Sequence, residues 1–152
     1  MNVALLIPVL PLIGFLINGL FGKKLSKSLV GLIGSASILA AFVCVLITFA
    51  NFISGGMEVQ YVTAFEWFNI GDTTLAMSFQ IDQLSLIMMT LVTGVGFLIH
   101  LYSIGYMHDD ENYNRFFAYL NLFVFFMLLL VMGDNYVVMF TGWEGVGFCS
   151  YL

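Results

Sequence analysis

Apolar residues run along this chain in long unbroken stretches, and the polar residues gather in the gaps between them. The stretches cover about 3–20, 29–52, 84–106 and 116–132, and a last one starts near Tyr136 and is still apolar at Leu152. Each approaches the roughly 20 residues a helix needs to cross a hydrocarbon core. The pattern predicts an all-α integral membrane fold with five transmembrane helices, and the missing polar close after the fifth predicts a fragment of a longer bundle. Pro8 and Pro11 are expected near the start of the first helix, where a missing amide donor costs least. In the second helix Gly31 and Ser35, then Ser37 and Ala41, are small residues four apart, a spacing that lets a neighbouring helix approach closely.

Between helices 2 and 3 the period changes. Leu75, Met77, Phe79 and Ile81 alternate with Ala76, Ser78, Gln80 and Asp82, the two-residue repeat of a half-buried strand. Val59, Tyr61 and Thr63 form a weaker partner run, and Asn69, Ile70, Gly71 and Asp72 are turn residues between them. A short β-hairpin is therefore expected here, with Trp67 and Phe68 near the lipid head groups. The chain divides into helices 1 and 2 with their lysine loop (1–53), the hairpin segment (54–83) and helices 3 to 5 (84–152).

Lys23, Lys24 and Lys27 are three of the four basic residues and share the loop after helix 1. Short lysine-rich loops stay on the cytoplasmic side, which puts the amino terminus and the hairpin outside. The loop 107–115 is then internal, with Arg115 its only basic residue, and Gly133, Asp134 and Asn135 make an external turn that Asp134 is expected to cap. No Lys or Arg and no small-residue cleavage pattern marks helix 1 as a signal peptide, so a retained span is expected.

A composition of 61% hydrophobic and 9% charged residues, with mean hydropathy +1.03, excludes a water-soluble domain. The net charge of −5 comes from loop carboxylates, and no basic patch points to nucleic acid. Cys44 and Cys149 sit inside apolar runs and are expected to pack rather than pair or bind metal. With one histidine inside a span, no cysteine cluster and no glycine-rich phosphate loop, haem, iron–sulfur, metal and nucleotide sites have no support.

One position breaks the sorting of charge. Of the thirteen Asp, Glu, Lys and Arg residues only Glu144 falls well inside a span. An ionisable group near the bilayer centre costs roughly 2.5 to 3.5 kcal/mol on insertion scales and is usually retained for ion or proton movement. Eight residues past Tyr136, it lies about 12 Å into the membrane. Gly142, Gly145 and Gly147 are expected to bare the helix surface around it, with Trp143 as motif packing and Thr141 and Gly147 on its face. Thr141 and Tyr151 are candidate supports. The alternative is a protonated Glu144 that only packs. His100 either extends a proton path, since imidazole titrates near neutrality, or is a satisfied packing histidine. His108 is expected to be solvated, and Asn121 to hydrogen-bond between helices.

The run Gly142-Trp143-Glu144-Gly145-Val146-Gly147-Phe148-Cys149-Ser150-Tyr151-Leu152, the stretch Arg115 through Phe123, and Val92 through His100 resemble the amino-terminal part of the subunit L (chain 5) family of NADH-quinone oxidoreductase. Asp134-Asn135 and Phe79 through Ser85 fit the same family, and the large subunit of Mrp-type sodium/proton antiporters shares much of the pattern. The resemblance implies an antiporter-like membrane subunit of respiratory complex I that translocates protons, coupled to quinone reduction elsewhere. It implies that Glu144 is the proton-translocating residue, working with a lysine on a later span. It also implies neighbouring antiporter-like subunits as partners, a bacterial inner membrane location, and no cofactor on this chain: NADH, FMN, iron–sulfur clusters and quinone belong to other subunits. Phe148, where the family often has leucine, is an apolar exchange. An Mrp-type antiporter subunit and a purely structural or assembly protein are the other readings.

Overall fold

The computed structural model describes residues 3–70 and 73–152. Its elements are α1 (Val3–Phe21), α2 (Lys27–Ser54), β1 (Gln60–Ile70), β2 (Thr73–Ile81), α3 (Gln83–Tyr106), α4 (Tyr113–Met132) and α5 (Tyr136–Tyr151), with a 3₁₀ turn at Gly22–Lys24. Four helices, α1 to α4, are long and apolar enough to cross a membrane. The fifth, α5, is an apolar helix of 16 residues that runs to Tyr151, next to the last residue of the sequence. Four of the five expected spans are thus met by membrane-length helices.

α4 touches every other helix, and α1, α2 and α3 pack in sequence order around it. Ile7, Ile38, Val45, Leu86, Met89 and Leu128 fill the shared core, all fully buried. The outward faces are equally apolar: Leu16, Leu32, Leu39, Val43, Leu91 and Leu98 are exposed, a surface of leucine and valine that suits lipid and not water. Pro8 and Pro11 lie inside α1 and are buried, in its second and third turns rather than its first.

The small residues of α2 do what their spacing suggests, and one does more. The Gly31 position faces the Tyr113 hydroxyl and Ile104 with no room for a methyl. Ser37 donates from Oγ to Asn121 Oδ1 at 2.7 Å, and Asn121 Nδ2 donates to Phe117 O at 2.9 Å. Asn121 is therefore the expected helix-to-helix hydrogen bond, and Ser37 is its partner.

β1 and β2 pair antiparallel, with register shifts between Thr63 and Phe65 and between Glu66 and Phe68. β1 is longer than its weak alternation suggested and includes Trp67 and Phe68, which stack at 5.0 Å. Gly71 and Asp72 of the expected turn lie outside the described residues. The alternation on β2 is clearest at its base, where Phe79 and Ile81 are buried.

Two polar ties anchor the loops. Asp82 caps α3 in a reciprocal box with Ser85, and the hydrogen bond from the Ser85 amide holds its carboxyl below the usual carboxylate range. A carboxyl with a lowered folded value stabilises above the unfolded value and loses that contribution as pH falls through the folded one. Asp82→Ala should cost about 1 kcal/mol near neutral pH, and the difference from wild type should shrink below the carboxylate range when thermal midpoints are compared across pH. Lys27 Nζ donates to the carbonyls of His108 at 2.8 Å and Asp110 at 3.0 Å, and lies over the Tyr113 ring. Lys27→Met should speed amide exchange across 107–112 severalfold, because solvent-exposed interactions of a charged side chain hold up to about 1 kcal/mol; unchanged exchange would show that the clamp is idle.

Candidate functional site

Asn135 opens α5, its side chain accepting from the amides of Val137 and Val138 at 3.1 and 3.0 Å. The cap of the helix is therefore Asn135, next to the Asp134 that was expected to cap the turn. Asp134 instead accepts from Ser78 Oγ at 2.6 Å, and Asn135 Nδ2 donates to Ala76 O at 2.9 Å. The hairpin strand β2 thereby holds the start of the helix that carries Glu144.

α5 is buried along Val138, Gly142 and Gly145 and exposed along Tyr136, Phe140, Trp143, Glu144, Gly147, Phe148 and Tyr151. The glycines divide between these faces. A Cβ on Gly142 would stand 2.5 Å from the Leu130 amide nitrogen, and one on Gly145 would overlap the Phe126 ring, whereas Gly147 has open space around it. So Gly142 and Gly145 let α4 approach from behind, and of the three only Gly147 bares the surface near Glu144. Thr141 is half-buried and donates to the Val137 carbonyl at 2.8 Å. Tyr151 shares the Glu144 face two turns on and is 87% exposed.

Glu144 itself stands exposed, midway along α5, turned away from α4. The sequence placed a carboxylate at mid-span without fixing its direction; within this bundle it is presented outward, flanked by the exposed rings of Phe140, Trp143 and Phe148. Its surroundings must come from lipid or from another surface. Bare lipid is the costly option for a carboxylate at this depth. An adjoining protein surface with a counter-charge or water would relieve that cost.

His100 sits elsewhere. It is fully buried on α3, its Nδ1 is 2.8 Å from the Gly96 carbonyl, its ring meets Phe117 edge-on at 6.0 Å, and Nε2 has no partner among the described residues. α4 packs on both α3 and α5 and stands between His100 and Glu144, so the two residues are not brought together. His100 is one of several buried polar side chains inside the bundle, with Asn18, Ser35 and Asn121. Asn18 carried no role in the sequence reading, and Ser35 only that of a small packing residue; the visible signal was a lone Asn inside an otherwise apolar run. His108 is exposed in the loop, 3.0 Å from Asp109. No group of three potential metal ligands occurs among the described residues.

Residues 67–117 match the family described as NADH-Ubiquinone oxidoreductase (complex I), chain 5 N-terminus. NADH-quinone oxidoreductase subunit L of Escherichia coli (strain K12) is 42% identical over 153 residues, covering all of this chain and 25% of the relative. The subunit L of Rickettsia typhi is 40% identical over 99% of the chain and 23% of its own length. NADH-ubiquinone oxidoreductase chain 5 of Hypocrea jecorina is 39% identical over 95% of the chain and 21% of the relative. The chain spans about a quarter of the length of these curated relatives, at their amino-terminal end. Matched across its whole length, with four helices able to cross a bilayer, this is an integral membrane protein that belongs to the subunit L and chain 5 family of complex I.

Proposed function

We propose that the chain is the amino-terminal part of a membrane-arm subunit that translocates protons in NADH:quinone oxidoreductase, with Glu144 as the residue that changes protonation. The observation that carries this is the outward presentation of Glu144 midway along an apolar helix. A carboxylate that served only to pack this bundle would be bonded within it. One that exchanges protons with a neighbouring surface has to face that surface. The partner lysine that the family resemblance implies would lie in the remainder of the subunit, and α5 would complete the fifth span there.

The chain contributes positioning and proton exchange. The redox steps, with NADH, FMN, iron–sulfur clusters and quinone, are assigned to other subunits of the complex, of which the neighbouring antiporter-like subunits are the expected contacts. The lysine loop orients the chain with its amino terminus outside the cytoplasmic membrane of a bacterium, which puts the hairpin and the Asp134 turn on the outer face.

The test is proton uptake by sealed inverted membrane vesicles during NADH oxidation, with the Glu144→Gln subunit in an assembled complex. Loss of uptake is expected, and uptake at the wild-type rate would overturn the assignment.

A further inference from the structure

At the lysine-loop end of the bundle, a groove of about 390 Å³ opens between α1 and α4. Its lower walls are apolar, from Phe15, Leu16 and Leu20 on α1 and Ala118 on α4, and its mouth carries Lys23 and Arg115. A second hollow of about 270 Å³ continues outward from the same Lys23, Asn114 and Arg115. We propose that this groove binds an anionic phospholipid, its phosphate on Lys23 and Arg115 and one acyl chain along the apolar wall below.

The two cations are set side by side by the fold. Asn114 Nδ2 donates to the Gly22 carbonyl at 2.5 Å, which pins the 3₁₀ turn carrying Lys23 against the first turn of α4 carrying Arg115. Neither cation is spent within the chain: the sole ion pair among the described residues is His108 with Asp109. Glu111 lies on the rim of the outer hollow without pairing to either. Lys27 differs, since its ammonium is taken up by two carbonyls. The Asn112 side chain makes no cap at the start of α4, so the positive end of that 20-residue helix adds to the field at the same place.

Depth fits a lipid better than a soluble anion. The cations stand at the end of a membrane-length helix, where head-group phosphates lie, and the apolar part of the groove runs from them towards the bilayer core. Asn18 lines the groove five residues before Lys23, about 7 Å deeper. It is 2% exposed, and its Oδ1 has no donor among the described residues. A free phosphate would use the mouth and leave the apolar wall unmatched.

The experiment uses the assembled complex in nanodiscs doped with phosphatidylglycerol carrying a photoreactive diazirine on one acyl chain. Crosslinks are expected on peptides covering 15–20 and 114–119. They should be absent with the phosphatidylcholine analogue and should persist in excess inorganic phosphate. Near a membrane surface each basic residue contributes about fivefold to binding an anionic lipid, so Lys23→Gln with Arg115→Gln should lower the yield roughly 30-fold, and Lys23→Arg with Arg115→Lys should retain most of it. Equal labelling by phosphatidylcholine would show a groove that takes any acyl chain, and full competition by phosphate would show a soluble-anion site. Either result overturns the proposal, as does undiminished labelling of the double glutamine variant. The comparison of lipids on the wild-type complex stands even if that variant fails to assemble.

Discussion

Valine at Gly142 will keep the subunit from accumulating in the membrane. The methine carbon it adds would stand 2.5 Å from the Leu130 amide nitrogen and 2.8 Å from its Cα, both backbone atoms of α4 that no rotamer change can move. The two helices would have to separate, and α4 is the element on which all the others pack. Overpacking a well-filled contact costs about 1–3 kcal/mol even where side chains can yield, and here they cannot. A Cβ on Gly145, one turn on, would come closer still to Cδ1 and Cγ of the Phe126 ring, atoms held near the backbone, so even alanine there should be destabilising. Gly147→Ala meets nothing within 4 Å and should be neutral or better, since alanine exceeds glycine by about 1 kcal/mol in a helix. Immunoblots of the membrane fraction and thermal midpoints of the complex would rank the three. Wild-type levels of Gly142→Val would show that α5 does not seat on α4 in this way.

Glutamine at Glu144 will separate assembly from pumping. No group in the described chain bonds this carboxylate, so the bundle loses no contact, and its stability should change by less than about 0.5 kcal/mol, as for surface positions without a special role. Function should fall much further. A positioned group that accepts and releases a proton contributes about 10²–10⁴-fold to such a step, and the amide neither carries charge nor exchanges the proton. Proton uptake at least tenfold below wild type is expected, at a normal content of subunit in the complex. Glu144→Asp keeps the charge one methylene short and should retain part of the activity. If Gln and Asp variants pumped equally well, charge at this position would be irrelevant and Glu144 would be a packing residue.

Several features were legible before any coordinates. Run length alone separates four membrane-length helices, because each must cover the same apolar thickness, and period alone locates the hairpin, because a strand sheltered on one face repeats every two residues. Asn121 announced a bond between helices because an amide in an apolar run needs a partner. Where the signals were weaker, the tertiary structure decided. β1 runs to Ile70 because its pairing with β2 continues through two register shifts, which alternation in one strand cannot reveal. Asp134 reaches the hairpin and leaves the cap to Asn135, a choice that depends on where Ser78 lies, 56 residues away in sequence.

The sharpest division falls at Glu144. Its presence at mid-span, the glycines around it and its single charge among apolar neighbours are properties of the order of residues, and they were enough to mark it. The direction it faces is not. Helical spacing sets which residues share its side, but only packing chooses the side that meets α4. Gly142 and Gly145 win that choice because they let two backbones approach, and this turns Glu144 outward with Trp143 and Tyr151. Composition and order thus determined that this chain lies in a membrane and carries one acid there. The close contact of two helices decided that the acid faces away from α4 rather than into it, because a glycine seam can bury only the face on which it lies.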